Sequence, residues 1–200
     1  TCALPIFRQP RFCLCDAGFL STLDDRQLRS GLAEVVKHGA IGDPALFEFV
    51  EQHADALLAR ERPALDRVVA DSLRLKAAVV EADETEQGER RKLNFGHTLG
   101  HALERLGGLT HGEAVAVGMV FAARLSVRRG LLAQASADRL EALLLRLGLP
   151  TRAAVERGAL MDAVRRDKKR TCDSVSMALL SGIGRCELAP VGLDEIERGL

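Results

Sequence analysis

A mainly α-helical fold, with one entering strand and a small late β-hairpin, is what this 200-residue sequence predicts. Three observations carry the prediction. Apolar residues return at three- to four-residue spacing along most of the chain, the period of a helix that buries one face. Proline and glycine interrupt that pattern where helices start and stop. Only near the end do two short apolar runs flank a glycine turn, as a hairpin requires.

In chain order, residues 12–16 (FCLCD) form a short apolar run that ends at Asp and Gly and suits one buried strand. Leu23, Leu28, Leu32, Val35 and Val36 then recur at helical spacing and predict a helix over 25–39. Asp43 followed by Pro44 is an N-cap with proline at the first helical position, opening a helix that runs through 58. Leu65, Val68, Val69, Leu73 and Leu75 stripe a helix over 63–82, and the polar stretch 84–92 reads as a loop. Helices follow over 94–106, 112–129 and 136–147; Gly107-Gly108 separates the first two, Gly130 closes the second, and Ser136 serves as N-cap of the third. Gly148-Leu149-Pro150 breaks the pattern before a shorter helix at 158–167. The runs 175–180 and 186–188, split by a turn at 182–184, give the hairpin. There is no internal repeat and no low-complexity tract.

Two hundred residues make about one domain with a sizeable core. The chain is 47% hydrophobic, carries zero formal net charge and lacks Trp and Tyr, a profile expected of a soluble globular protein. Neutral balance removes the electrostatic case for nucleic acid or an anionic membrane surface. No run approaches the roughly 18 apolar residues of a membrane span. Five cysteines, an odd number in no zinc or disulfide spacing, read as reduced thiols and a cytoplasmic location, the alternative being Cys13 and Cys15 as metal ligands. The first residue is Thr1 rather than Met, and residues 1–6 (TCALPI) read as an artefact or a cut end, so sequence is expected to be missing upstream.

The densest chemical signal is LNFGHTLGHALE. On a helix, His97 and His101 stand at i and i+4 and project from one face. Gly96 and Gly100 beside them thin the wall for a neighbouring backbone or a ligand. His111 opens the next helix, so three of the chain's five histidines fall within fifteen residues, which favours a divalent metal such as zinc. The His-x3-His pair alone fits two structural histidines equally well. A zinc protease is excluded, because its general base must follow the first histidine and Thr98 stands there. Glu34 and Lys37 sit three apart on an otherwise apolar helix. They read either as a surface ion pair or as a carboxylate facing a cavity, where it would complete a three-ligand site with one open position. Lys76, Asp83, Glu84, Glu86, Arg90 and Asn94 lead into the histidine helix. They suit either a solvated loop or the recognition of an anionic, hydroxylated substrate.

Taken together, GLAEVVK, then Lys76 with DETEQGERRKLNFGHTLGHALE, then HGEAVAVGM, then Asp167-Lys168-Lys169 resemble the 3-dehydroquinate synthase family over residues 7–200. The resemblance implies the distal part of a two-domain enzyme, an α/β NAD-binding domain joined to a helical domain with the active site between them. Residues 7–22 would then be the last strand and linker of the NAD-binding domain, and 23–200 the helical metal- and substrate-binding domain. It implies Glu34, His97 and His111 as metal ligands, zinc or cobalt being the ion. Glu86 and His101 match positions with proton-transfer roles, and Lys37, Lys76, Arg90, Asn94 and Lys168 match groups near or on the substrate. Phe19, Leu20, Ser21 and Thr22 match a stretch that touches NAD. The implied reaction is NAD- and metal-dependent conversion of 3-deoxy-arabino-heptulosonate 7-phosphate to 3-dehydroquinate with loss of phosphate, in the shikimate pathway. A homodimer is implied for the complete protein, and little activity for this chain alone, since the glycine-rich NAD motifs are absent. A sister cyclase such as 2-deoxy-scyllo-inosose synthase and a non-catalytic helical metal-binding module are the alternatives. The expectation for the fold is that the three ligands converge and that Lys76, Arg90, Asn94, His101 and Lys168 line one cavity beside them.

Overall fold

The structure, a computed structural model, describes residues 12–167 and 174–200. Nine α-helices and one hairpin are formed among them: α1 (Asp25–Gly42), α2 (Pro44–Gln52), α3 (Ala54–Leu58), α4 (Arg62–Ala82), α5 (His97–Leu106), α6 (His111–Arg128), α7 (Gln134–Arg146), α8 (Arg157–Asp167), β1 (Ser174–Gly182), β2 (Arg185–Gly192) and α9 (Leu193–Gly199). Two short 3-10 helices, Ala17–Thr22 and Glu89–Asn94, fill the remaining turns. No helix is long and apolar enough to cross a membrane among the described residues.

Helix α6 is the central post. It is buried on nearly every side from Gly112 to Ser126, as expected of a helix apolar around its whole circumference. α1, α5, α7 and β1 all pack on it. The two strands pair antiparallel from Ser174 opposite Gly192 to Gly182 opposite Arg185. The hairpin is fastened twice: Ser126 Oγ on α6 accepts from Leu180 N at 3.0 Å, and Gly184 N donates to Ala40 O of α1 at 2.9 Å. The Ser126 hydroxyl also donates to Ala122 O, so this fully buried group is satisfied in both senses.

Several expectations need correction. Residues 12–16 form no strand, and Phe12 and Leu14 are exposed. A strand needs a neighbour for its backbone groups, and the only sheet among the described residues is the hairpin. Asp43 caps α2 as expected, its side chain accepting from Leu46 N at 3.0 Å, but the helix stops at Gln52 and α3 restarts at Ala54. His53 at the break stacks on Phe49 and bonds back to the Phe49 carbonyl. The cap of α7 is Ala133, with no side-chain bond, rather than Ser136. The loop over 84–92 gives way to a 3-10 helix from Glu89, and α9 follows β2 directly.

Candidate functional site

Three helices deliver the site, and their contacts are backbone to backbone. α6 begins at His111 with a reciprocal cap: Thr110 Oγ1 accepts from Glu113 N at 3.4 Å, and Glu113 Oε2 accepts from Thr110 N at 2.7 Å. Arg26 of α1 donates to both Glu113 oxygens, at 2.8 and 2.6 Å, and to Gly108 O at 2.8 Å. The Arg26 hydrogen bond, helped by the Thr110 bonds, holds the Glu113 carboxyl down at about 2 against the opposing effect of burial. One residue after His111, a Cβ on Gly112 would fall 2.1 Å from Ser30 O, so only glycine lets α6 lie on α1 here. Farther along, a Cβ on Gly118 would fall 1.9 Å from Gly96 O, where α5 begins. The close approach expected at Gly96 and Gly100 is therefore to α6 backbone.

That packing brings one carboxylate and two imidazoles together. Glu34 Oε1 lies 3.7 Å from His97 Nε2 and 3.7 Å from His111 Nε2. All three candidate ligand atoms lie within 4.8 Å of one another. Ligands on a tetrahedral ion with bonds of about 2.1 Å stand roughly 3.4 Å apart, so these separations are near those of a metal site. Glu34 Oε1 is buried without a hydrogen-bond partner, an orphan acceptor that an ion between the rings would satisfy. Its other oxygen accepts from Lys37 Nζ at 2.7 Å. Lys37 is 3% exposed and the Glu34 side chain 32% exposed, so the ammonium is interior and only the carboxylate reaches toward solvent. Burial alone would push the Glu34 carboxyl up; the charge and hydrogen bond of Lys37 outweigh it and hold the group below its ordinary value. His97 Nδ1 stands 3.1 Å from Phe95 O, a pure acceptor, so the proton sits on Nδ1 and Nε2 offers its lone pair to the cluster. Burial, with the charge of Lys37 next, lowers His97 to about 4 and keeps the ring neutral, the form that binds metal.

Beside the cluster is a cavity of about 260 Å³, with Glu86, Arg91, Asn94, His97, His101 and Ser176 on its polar walls. Its rim is organised by Asp83, whose carboxylate accepts from the backbone N–H groups of Gln87, Gly88 and Arg90 at 3.0, 2.7 and 3.0 Å. The bonds from Gly88 and Gln87 hold that carboxyl below its usual value. Glu86 rides on this loop at φ 58, a left-handed conformation that non-glycine residues adopt at some cost, and accepts from Asn94 Nδ2 at 2.9 Å.

The residues anticipated for the site therefore divide. Glu34, His97 and His111 converge, and Glu86, Asn94 and His101 line the adjoining cavity. Arg90 does not: its guanidinium donates to Glu84 O at 2.8 Å, and Arg91 takes the wall instead. The 3-10 helix explains the exchange, because three residues per turn put Arg91 and Asn94 on one face. Lys76 is exposed on α4 and outside that wall, near enough for its charge to be felt at Lys37 and His38. His38, not anticipated, is buried and bonded through Nδ1 to Ser72 Oγ. Phe19, Leu20, Ser21 and Thr22 lie in the first 3-10 helix, which packs on α4, with Phe19 exposed. Lys168 lies outside the described residues.

A carboxylate and two imidazoles gathered by three helices beside a polar cavity define a helical domain built around a candidate metal centre. Residues 31–170 match the model of the 3-dehydroquinate synthase C-terminal family, and the chain belongs to that family. It is 47% identical over 197 residues to the 3-dehydroquinate synthase of Halorhodospira halophila (strain DSM 244 / SL1), covering 94% of this chain and 56% of that one. With the 3-dehydroquinate synthase of Geobacter sp. (strain M21) it shares 53% identity over 147 residues, 72% of this chain and 41% of the relative. Among solved structures it is similar to ValA, the 2-epi-5-epi-valiolone synthase of Streptomyces hygroscopicus subsp. jinggangensis 5008 with NAD+ and Zn2+ bound. That likeness has a TM-score of 0.82 and 30% identity, and covers 92% of this chain and 53% of the other. A 2-deoxy-scyllo-inosose synthase complexed with carbaglucose-6-phosphate, NAD+ and Co2+ gives a TM-score of 0.80 at 29% identity, over 92% of this chain and 54% of that one. The chain thus spans about half the length of these relatives.

Proposed function

We propose that this chain is the metal- and substrate-handling half of a 3-dehydroquinate synthase, acting on 3-deoxy-arabino-heptulosonate 7-phosphate and eliminating phosphate. The observation that carries the reading is the meeting of Glu34, His97 and His111 beside the cavity of Glu86, Asn94 and His101. Identity of 47% and 53% to named dehydroquinate synthases, against 28–30% to the sister cyclases of known structure, favours the heptulosonate substrate.

Glu34, His97 and His111 would hold a divalent ion such as zinc or cobalt, and the neutral imidazole of His97 is already in the ligating tautomer. A metal and NAD, when bound, supply Lewis acidity at neighbouring hydroxyls and a reversible hydride acceptor. The chain's own residues do the rest. Arg91 presents a guanidinium to the cavity for the substrate's carboxylate or phosphate. Asn94 holds the Glu86 carboxylate by its amide, leaving that carboxylate at the cavity wall to take a proton from the substrate. His101, one helical turn after His97 with ring centroids 5.2 Å apart, is placed to exchange a proton with a leaving or ring oxygen. The NAD-contacting part, the homodimer and a cytoplasmic setting belong to this same reading.

The test is a chimera in which residues 12–200 replace the corresponding part of the Halorhodospira halophila synthase. With NAD and Zn2+ it should release phosphate from heptulosonate phosphate, and His97→Ala should abolish that release. A chimera that folds and binds NAD yet releases no phosphate would sink the proposal.

A further inference from the structure

His111 is held less securely than its fellow ligand. His97 is buried and locked by a backbone carbonyl, whereas the His111 side chain is 44% exposed at the first position of α6. An exposed neutral imidazole exchanges between two tautomers, and only the one protonated on Nδ1 offers Nε2 to an ion. Here Nε2 faces Glu34 Oε1 at 3.7 Å, and Nδ1 lies 3.0 Å from Glu104 Oε2. Glu104 is in the last turn of α5, and its carboxylate can only accept, so Nδ1 must carry the proton.

The placement is built into the backbone. Gly107 and Gly108, at φ 86 and 89, reverse the chain after α5 and lay the first residue of α6 against the turn that carries Glu104. The bond to His111 is the sole hydrogen bond or ion pair of the Glu104 carboxylate among the described residues, so no competing side-chain partner accounts for it. The geometry points to Glu104 as a positioning residue that fixes the tautomer and ring plane of His111 for metal binding. This rests on the metal-centre reading, while the tautomer itself does not depend on it. Carboxylate–imidazole–metal arrangements of this kind raise the basicity of the ligating nitrogen as well as aiming it.

Two variants test it, with three readouts on the whole chain: Zn2+ affinity by competition with a chromogenic chelator, ring nitrogen–proton spectra of the metal-free protein, and thermal unfolding. Glu104→Ala should lower Zn2+ affinity about 10–100-fold and release His111 from the Nδ1–H form, with little change in unfolding. Glu104→Gln keeps an accepting oxygen, so it should retain the Nδ1–H form and lie within several-fold of the native affinity. A native-like Zn2+ affinity in Glu104→Ala overturns the proposal, as does an unchanged His111 tautomer. If the native chain takes up no Zn2+, it is the metal reading that falls, and the tautomer comparison still decides the part played by Glu104.

Discussion

The two sides of the site are built by different physics. On one side, α5 and α6 touch through glycines, and the ligands inherit their places from buried helices that cannot shift separately. On the other, residues 83–94 are nowhere fully buried and hold their shape through the Asp83 carboxylate, the Glu86–Asn94 and Arg90–Glu84 bonds and a 3-10 turn. Packing fixes the cluster of Glu34, His97 and His111, whereas hydrogen bonds fix the cavity wall. The first should fail with the whole domain and the second without it.

Gly118→Ala is the hardest blow to the packed side. Its Cβ meets backbone rather than a movable side chain, so a loss of about 3 kcal/mol is expected from urea unfolding, with Zn2+ affinity falling in parallel. A fold of native stability would show that the helices can separate at no cost. Asp83→Ala attacks the other side. Global stability should change by less than about 1 kcal/mol, while proteolysis between Glu84 and Arg90 becomes faster. Equal protection there would mean that something besides Asp83 shapes the loop.

Arg91→Ala, in the phosphate-releasing chimera, should weaken substrate binding by about 1.5 kcal/mol, the scale of a lost charge-assisted hydrogen bond. Arg90→Ala should do less, and the reverse order would restore Arg90 to the wall. The smallest effect concerns Glu113. Its folded carboxyl is depressed to about 2 from 4.5, so its contribution to stability is fully present above about pH 4.5 and disappears as the pH falls toward 2. Glu113→Gln should flatten the acid limb of the stability curve in that window. An unchanged slope would show that the Arg26 contact adds nothing measurable.

How much of this could be read in the residues follows the same division. Helices with strong local signals were legible: the Asp43-Pro44 start, the Gly130 stop and the span of α4 stand where the pattern puts them, although of the α4 stripe only Leu65 and Val68 are buried and Leu73 is exposed. What failed depended on distant partners. Residues 12–16 look like a strand by composition, but a strand is a relation between two segments. Nothing around Gln52 and Ala54 announces the break at His53, and α9 buries only Ile196, too little for a periodic signal. The meeting of Glu34, His97 and His111 was legible because motif order carries it, yet the identity of the wall arginine was not. Choosing Arg91 over Arg90 requires knowing that residues 89–94 wind with three residues per turn. The burial of Lys37 was equally hidden, since a pair three residues apart looks the same on a surface or in a core.

Lys37 has a consequence for what the cluster would offer a ligand. The ammonium 2.7 Å behind the Glu34 carboxylate offsets that group's charge, which leaves the Glu104 carboxylate behind His111 as the one uncompensated negative charge around the cluster. A divalent ion held there would keep a net positive charge on its open side, facing the cavity. Sites with two or three acidic ligands neutralise their ion; here an ion would stay cationic, so an oxyanion or ionising hydroxyl in the cavity would feel a positive field.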